Sequence, residues 1–479
     1  MDETISKYQP AEIKSRLTLR ENFLGQTIIL TTLALICFGV ISAFSALSSV
    51  KQTADLAWYQ QQSAKHIIFA TCAAGLIVSM CYFDYRKLCA GKKLPYLATA
   101  FFIFAIILCL LVKFPIIPSI RHHIGGKYRW LKFGNFQIQP SEFLKLALVF
   151  CLSSWLSRLK NSVHKFRTFF ISGAVVVLSA VLVMKYDMSS AVLIMLAGGV
   201  VMLLSGVRWW YLLIAAILAV AVISVYINSD PKRLQRVEAM HNPWDKTNQS
   251  SYQAGQSLIA IYSGGWLGKG LGNGTRKLGY LPEDSTDFIF ASICEEWGFV
   301  GAVALVLLFM AWMWNCRRVA KRAPDKFGMV LAGAFGAMVG MQVLMHMCVN
   351  LTLLPPTGIG LPFVSVGGTR LLILSLGVAM VVSVSSRQQT STQLADGKNL
   401  DDEPDEPQPL AEESALQSEE IFQSGTYQPA ENEQQADAYF EADQTSDEEN
   451  FTHCDASPQA TCETQNPQNQ TDNISKPTN

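Results

Sequence analysis

WWYLLIAAILAVAVISVYI, running from Trp209 to Ile227, holds nineteen residues and no charge. As a helix it would rise about 28 Å, close to the roughly 30 Å hydrocarbon core of a bilayer. It is apolar on every face and has no polar stripe to offer water. It therefore reads as a membrane span rather than the flank of a soluble core.

Outward from this run, nine more qualify: residues 27–49, 66–83, 94–114, 142–157, 168–186, 188–206, 286–315, 327–354 and 364–386. The sequence predicts an all-α fold class, a polytopic integral membrane protein with about ten transmembrane helices. Residues 1–26 form an N-terminal segment and 27–387 the membrane domain, with a long outer loop at 228–285 between helices 7 and 8. No cleavable signal peptide is expected, because the first run follows about 26 mostly polar residues and lacks a small-residue cleavage site.

Composition agrees. Half the residues are hydrophobic and 16% are charged, against about 25% in soluble domains, which excludes an ordinary soluble enzyme. The formal net charge of zero hides a split. Residues 388–479 hold 21 acidic residues and two lysines, Lys398 and Lys476, a net −19 that leaves +19 on the rest. That tail is too polar to offset chain entropy by apolar burial and is predicted to be disordered. Its apolar islands, Ile421-Phe422 and Tyr439-Phe440, could dock a partner; the plainer reading is a solvated acidic tail. Nine of the eleven cysteines lie in or beside apolar runs without CxxC or Cys/His spacing, and read as small buried hydrophobes.

Lysine and arginine fix the orientation. Lys7, Lys14, Arg16 and Arg20 precede the first span; Arg86, Lys87, Lys92 and Lys93 follow the second. Arg158, Lys160, Lys165 and Arg167 follow the fourth; Arg317, Arg318, Lys321, Arg322 and Lys326 follow the eighth. All fall on the N-terminal side, which the positive-inside rule makes cytoplasmic, with both termini there. Two opposite segments are basic too: 113–141, with Arg121, Lys127, Arg129 and Lys132, and the long loop, with Arg233 and Arg236. Solvation is one reading of these cations. The other is an anionic ligand at the membrane surface, such as a lipid diphosphate.

Ionisable groups inside spans are functional candidates by default, with pairing in the bundle as the competing reading. Glu142 and Lys145, at i and i+3, share a helix face. Asp187 sits in the turn between spans five and six, Glu295 and Glu296 lie about two turns inside span eight, His346 and Asn350 are at i and i+4 in span nine, and Arg370 enters span ten. The stretch GGWLGKGLGNG, Gly264 to Gly274, fails the phosphate-loop pattern because no Ser or Thr follows Lys269. Its glycines permit tight turns instead. Asp287 closes the outer loop in YLPEDSTDFIF, where Pro282 sets a turn and Ser285 or Thr286 could cap the next helix. Such an Asp is often part of a cap. At the membrane–water boundary, beside the basic segments 121–132 and 232–236, its carboxylate also suits general-base work.

At this point three long motifs, in order, resemble the SEDS family, the FtsW/RodA/SpoVE group. They are RWLKFGNFQIQPSEFLKL from Arg129, the stretch from Asn242 to Gly301, and LPPTGIGLPFVSVGGTRLL from Leu354. The resemblance covers about residues 20–387. It implies a peptidoglycan glycosyltransferase that polymerises lipid II on the outer face of the bacterial cytoplasmic membrane. Its implied partners are a class B penicillin-binding protein, a transpeptidase, and other divisome proteins; no nucleic acid is expected. The family's essential aspartate falls on Asp287, whose implied role is general base. Arg129, Lys132, Lys145, Arg233 and Arg236 are candidates to hold the leaving diphosphate, with Gln139, Ser141, Glu142 and Glu283 beside them. Asp187, Glu295, Glu296, Asn350, Ser365, Gly367 and Gly368 are expected to support the site. No cofactor is fixed by the sequence; a divalent cation, Mg2+ or Mn2+, would suit the diphosphate, with unknown ligands. KLGYLPEDSTDFIFA after GLGNG looks more like the division branch of the family than the elongation branch, which stays as the alternative. A lipid II flippase and a non-catalytic divisome scaffold are the others. Tyr186, Ser189-Ser190, Asp284-Ser285, Val366 and Arg370 depart from the family pattern.

Overall fold

The computed structural model describes residues 22–47, 62–80, 82–89, 95–114, 121–124, 127–133, 136–159, 162–245, 247–275 and 278–395. Residues 1–21, Lys92, Lys93, Lys160 and the acidic tail beyond 395, including Ile421-Phe422 and Tyr439-Phe440, lie outside the described residues.

Ten long helices correspond one to one with the ten predicted spans. They are α1 (Phe23–Leu47), α2 (Gln62–Met80), α3 (Tyr96–Lys113), α4 (Pro140–Leu156), α5 (Phe166–Met184), α6 (Met188–Ser205), α7 (Trp209–Asn228), α10 (Ile289–Lys321), α11 (Lys326–Asn350) and α12 (Gly368–Ala395). Among the described residues, eight of them are long and apolar enough to cross a membrane; α2 and α4 are not in that set. α2 opens with the polar run QSAKH. α4 has 17 residues and opens with Pro140, Ser141 and Glu142. Its polar start survives because protein, not lipid, surrounds it: all but three of its residues are buried.

α4 is therefore the axis of the bundle. Leu144 and Leu148 from α4, Ile194 and Ala197 from α6, Phe335 and Val339 from α11 and Val378 and Val381 from α12 belong to one core. α7 is the opposite case, with no buried residue along its 20. The run that reveals the membrane fold is thus the candidate span that packs least against the rest of the protein.

Two features were not expected from the sequence. A three-stranded antiparallel sheet links α3 to α4: β1 (Arg121–Ile124), β2 (Lys127–Phe133) and β3 (Phe136–Ile138). Leu131 pairs with Ile138 in it. Strands of three to seven residues leave no mark on a search for twenty-residue spans. The outer loop also holds two helices, α8 (Pro231–His241) and α9 (Gln249–Gly264). α8 starts where Asp230 accepts from the Lys232 amide, and α9 where Asn248 accepts from Ser250.

α10 is broken at Gly298, whose φ of 68° and ψ of −166° are closed to residues with a β-carbon. The glycine-rich stretch after α9 fills the break. The Lys269 and Gly270 amides donate to the Glu295 and Glu296 carbonyls at 3.0 Å each, and the Phe299 and Val300 amides donate to Gly265 and Trp266 at 2.9 and 3.2 Å. A β-carbon on Gly264, Gly268 or Gly298 would overlap backbone atoms of the facing segment. Those glycines serve close backbone approach to a helix, not to a ligand. Glu295 takes Lys269 at 2.6 Å and Thr275 at 2.8 Å, while Glu296 takes Ser45 of α1. The two carboxylates, expected on different faces, both reach Gly274, where a β-carbon would lie 3.0 Å from Glu296 Oε1 and 3.3 Å from Glu295 Oε2.

Candidate functional site

Asp287 stands at the end of a tight turn just before α10. Glu283, at φ 60°, turns the chain so that its carbonyl accepts from the Thr286, Asp287 and Phe288 amides at 3.2, 3.0 and 3.1 Å. Three consecutive carbonyls of the turn are then held from outside it. The Val366 amide donates to Ser285 at 3.1 Å, the Ser365 hydroxyl to Thr286 at 2.7 Å, and the Asn350 side-chain amide to Asp287 at 3.2 Å. Ser365 and Val366 are occupied in this way, and α12 begins at Gly368 rather than at 364.

The cap of α10 corrects the sequence reading. Its N-cap position is Phe288, with no side-chain bond, so neither Ser285 nor Thr286 caps it. Asn350, from the end of α11, does that work: its oxygen accepts from the Ala291 amide at 3.1 Å. His346, one turn earlier, bonds the Ile359 carbonyl at 2.7 Å. One helix thus fixes both the turn that carries Asp287 and the segment facing it.

That facing segment is Gly358-Ile359-Gly360. A β-carbon on Gly358 would lie 2.8 Å from Arg129 Nη1 and 3.2 Å from Asp287 Oδ2, so both side chains converge on its bare α-carbon. Arg129 reaches there from β2 while its Nε donates to the Tyr186 carbonyl at 2.8 Å. Arg236, half-buried on α8, joins the group. Burial first and then Arg129 hold its guanidinium below its ordinary value, and Asp287 opposes them. Burial pushes the Asp287 carboxyl up to about 6; Arg370 opposes this, Glu283 reinforces it and Arg129 opposes it in turn. The residue as a whole is only partly buried.

Behind Asp287 lies a second, enclosed layer. Asp187 caps α6 and accepts from Gln139 at 3.0 Å, from the Ser141 hydroxyl at 3.0 Å and from the Ser190 hydroxyl at 2.7 Å. Burial works against its charge, yet Arg129 and Ser190 hold its carboxyl below the usual range. Glu142 pairs with Lys145 at 2.9 Å and with Arg370 at 3.4 Å. Lys145 also donates to Gln342, which donates in turn to the Gly360 carbonyl at 3.0 Å. Gly368 abuts Phe69, and Gly367 lies against Arg370.

The structure thus gathers Asp287, Arg129, Arg236 and Glu283, supported by Gln139, Ser141, Glu142, Lys145, Asp187, Asn350 and Ser365. It does not bring in Lys132 or Arg233. Lys132 is exposed and alternates with Arg129 and Leu131 along β2, so it faces the other way. Arg233 turns back on the end of α7, with Asp230 at 3.4 Å and the Tyr226 ring 3.7 Å away. Lys145 is enclosed by its partners and cannot meet a surface ligand. Glu295 and Glu296 belong to the α10 break. Gln342, Gly358 and Gly360 were missed, although the glycine pair stands inside a quoted motif. Among the described residues no group of three or more His, Cys, Asp or Glu side chains could hold a metal ion, and no step below runs through one.

The family described as "Cell cycle protein", that of FtsW, RodA and SpoVE, matches residues 26–390. The chain is 31% identical over 367 residues to stage V sporulation protein E of Bacillus subtilis (strain 168), covering 75% of this chain and 96% of that protein. It is 33% identical over 366 residues to a probable peptidoglycan glycosyltransferase FtsW of Geobacter metallireducens, covering 76% and 94%. Two solved structures share the fold. One is a chain from a peptidoglycan synthase complex described for its coordination of polymerization and crosslinking, with TM-score 0.62 at 21% identity over 75% of this chain and 97% of that one. The other is the rod shape determining protein RodA of Thermus thermophilus, with TM-score 0.52 at 22% identity over 75% and 96%.

Proposed function

The chain belongs to the FtsW/RodA/SpoVE family, and from that membership we propose a peptidoglycan glycosyltransferase that polymerises lipid II during septal cell-wall synthesis. Asp287 takes the proton from the acceptor sugar's 4-hydroxyl. The freed oxygen attacks the anomeric carbon of the growing chain, which inverts as its bond to undecaprenyl diphosphate breaks. Arg129 and Arg236 offset the negative charge developing on that diphosphate. The observation that carries this reading is the turn at 285–287, held at three successive carbonyls so that its carboxylate meets Arg129 over Gly358. A group that must accept a proton at a fixed point gains from such a mount.

In this reading the end of the bundle that carries Asp287 faces outward and both termini are cytoplasmic. The partner is a class B penicillin-binding protein within the divisome. The test is glycan-strand formation from lipid II by the purified protein with that transpeptidase. Asp287→Asn should lower the rate at least a hundredfold, about the scale of general-base catalysis, with partner binding unchanged. Wild-type polymerisation by that variant would sink the assignment.

A further inference from the structure

Arg370 is a buried arginine in the first turn of α12, 7% exposed. Its Nε lies 3.4 Å from Glu142 and its Nη2 donates to Gln139 Oε1 at 3.4 Å. Its Nη1 has no hydrogen-bond partner among the described residues. That nitrogen is packed against Gly360, where a β-carbon would overlap it. Gly360 lies two residues from Gly358, the glycine over which Asp287 and Arg129 meet. The three-residue segment therefore has an arginine lodged at each glycine, with Asp287 beside the first.

The charge count around Arg370 is uneven. Glu142 gives one oxygen to Lys145 and the other to Arg370, so one carboxylate serves two cations. Asp187, the next carboxylate, faces the charge of Arg129 and is hydrogen-bonded by Gln139, Ser141 and Ser190. Arg370 thus keeps part of its positive charge uncompensated in an enclosed setting, where charge acts over longer distances than in water. We propose that Arg370 is a positioning residue for glycosyl transfer, supplying the uncompensated positive charge against which Asp287 is kept as a carboxylate. This rests on Asp287 serving as the base.

Other charged and titratable groups face Asp287 as well. Arg129 comes from β2, Asp187 from ahead of α6, Arg236 from α8, Glu283 from the same turn and His346 from α11 by way of Ile359.

The experiment is the pH profile of glycan-strand formation by the full chain with its transpeptidase. Arg370→Gln removes the charge and keeps polar contacts. Its acid limb should move to higher pH by about one unit, so the loss is severe at pH 6 and small at pH 8. Arg370→Lys should restore the wild-type limb. Gly360→Ala, which dislodges Nη1 without touching the charge, should move the limb in the same direction if Arg370→Gln does not fold. A uniform loss at every pH in these variants, or a limb that stays in place, overturns the inference. Asp287→Asn in the same assay separates the two claims: activity retained there refutes the base itself, whereas an inactive Asp287→Asn with an unmoved Arg370→Gln limb refutes only the role of Arg370.

Discussion

At the scale of the residue, Asp287 has opposing demands on it. As the proposed base it must be ionised to take a proton, yet burial raises its carboxyl to about 6. A raised carboxyl is half protonated at its own pKa and loses its base form roughly tenfold per unit below it. Polymerisation should therefore hold up from neutral pH downward until about pH 6 and then fall with unit slope, read as initial rates of glycan-strand formation. A rate that stays flat to pH 5 would show that another group carries the proton. Asp287 stood out in the sequence as a carboxylate beside basic segments at the membrane–water boundary and through the family resemblance. Its mount was not legible. Nothing in one sequence says that Asn350 would bond the Asp287 carbonyl 63 positions away, or Ser365 the Thr286 carbonyl 79 positions away.

At the scale of the element, α10 shows how a break can be kept without loss of rigidity. The helix departs from helical geometry at Gly298, and the stretch 265–270 supplies bonds to the backbone on both sides of the break. Gly298→Ala would strain the backbone and push a β-carbon into Gly268. It should destabilise the protein by about 2 kcal/mol or more, read as a lower midpoint of thermal unfolding in detergent. An unchanged midpoint would mean that the break relaxes freely. The sequence marked these glycines but not their target, because a close approach between two backbones has no signature in either strand of sequence alone. Lys132 and Arg233 show the same limit: charge placed them near the site, whereas β-strand alternation and a neighbouring carboxylate turned them away.

At the scale of the whole molecule, the span pattern was legible because hydrocarbon imposes a length and a composition on anything that crosses it. The helices α8 and α9 and the small sheet lie outside that constraint and left weaker traces. Glu142, Lys145 and Arg370 form one linked system of buried charges across α4 and α12, joined by Gln342 of α11. Glu142 is its hub, and that makes the system asymmetric. Glu142→Gln leaves Lys145 and Arg370 buried without a carboxylate between them, whereas Lys145→Met leaves Glu142 paired with Arg370. The first should cost about 3 to 5 kcal/mol and the second distinctly less, compared by thermal unfolding of the two variants. Equal losses would show that Glu142 serves only one partner.

α7, with no buried residue, gives the site an unequal pair of jaws. Asp287 and Arg129 are mounted on protein, gripped by α10, α11 and the segment at 358–360. Arg236 is mounted differently, on a helix that follows α7 after only Ser229 and Asp230. α7 itself buries none of its residues against the rest of the protein. The two jaws thus differ in their anchorage: Asp287 is tied through Asn350 to the end of α11, whereas Arg236 is held on α8, which is bonded to the start of α9 where the Asn248 side-chain amide donates to the Gln235 carbonyl at 2.8 Å.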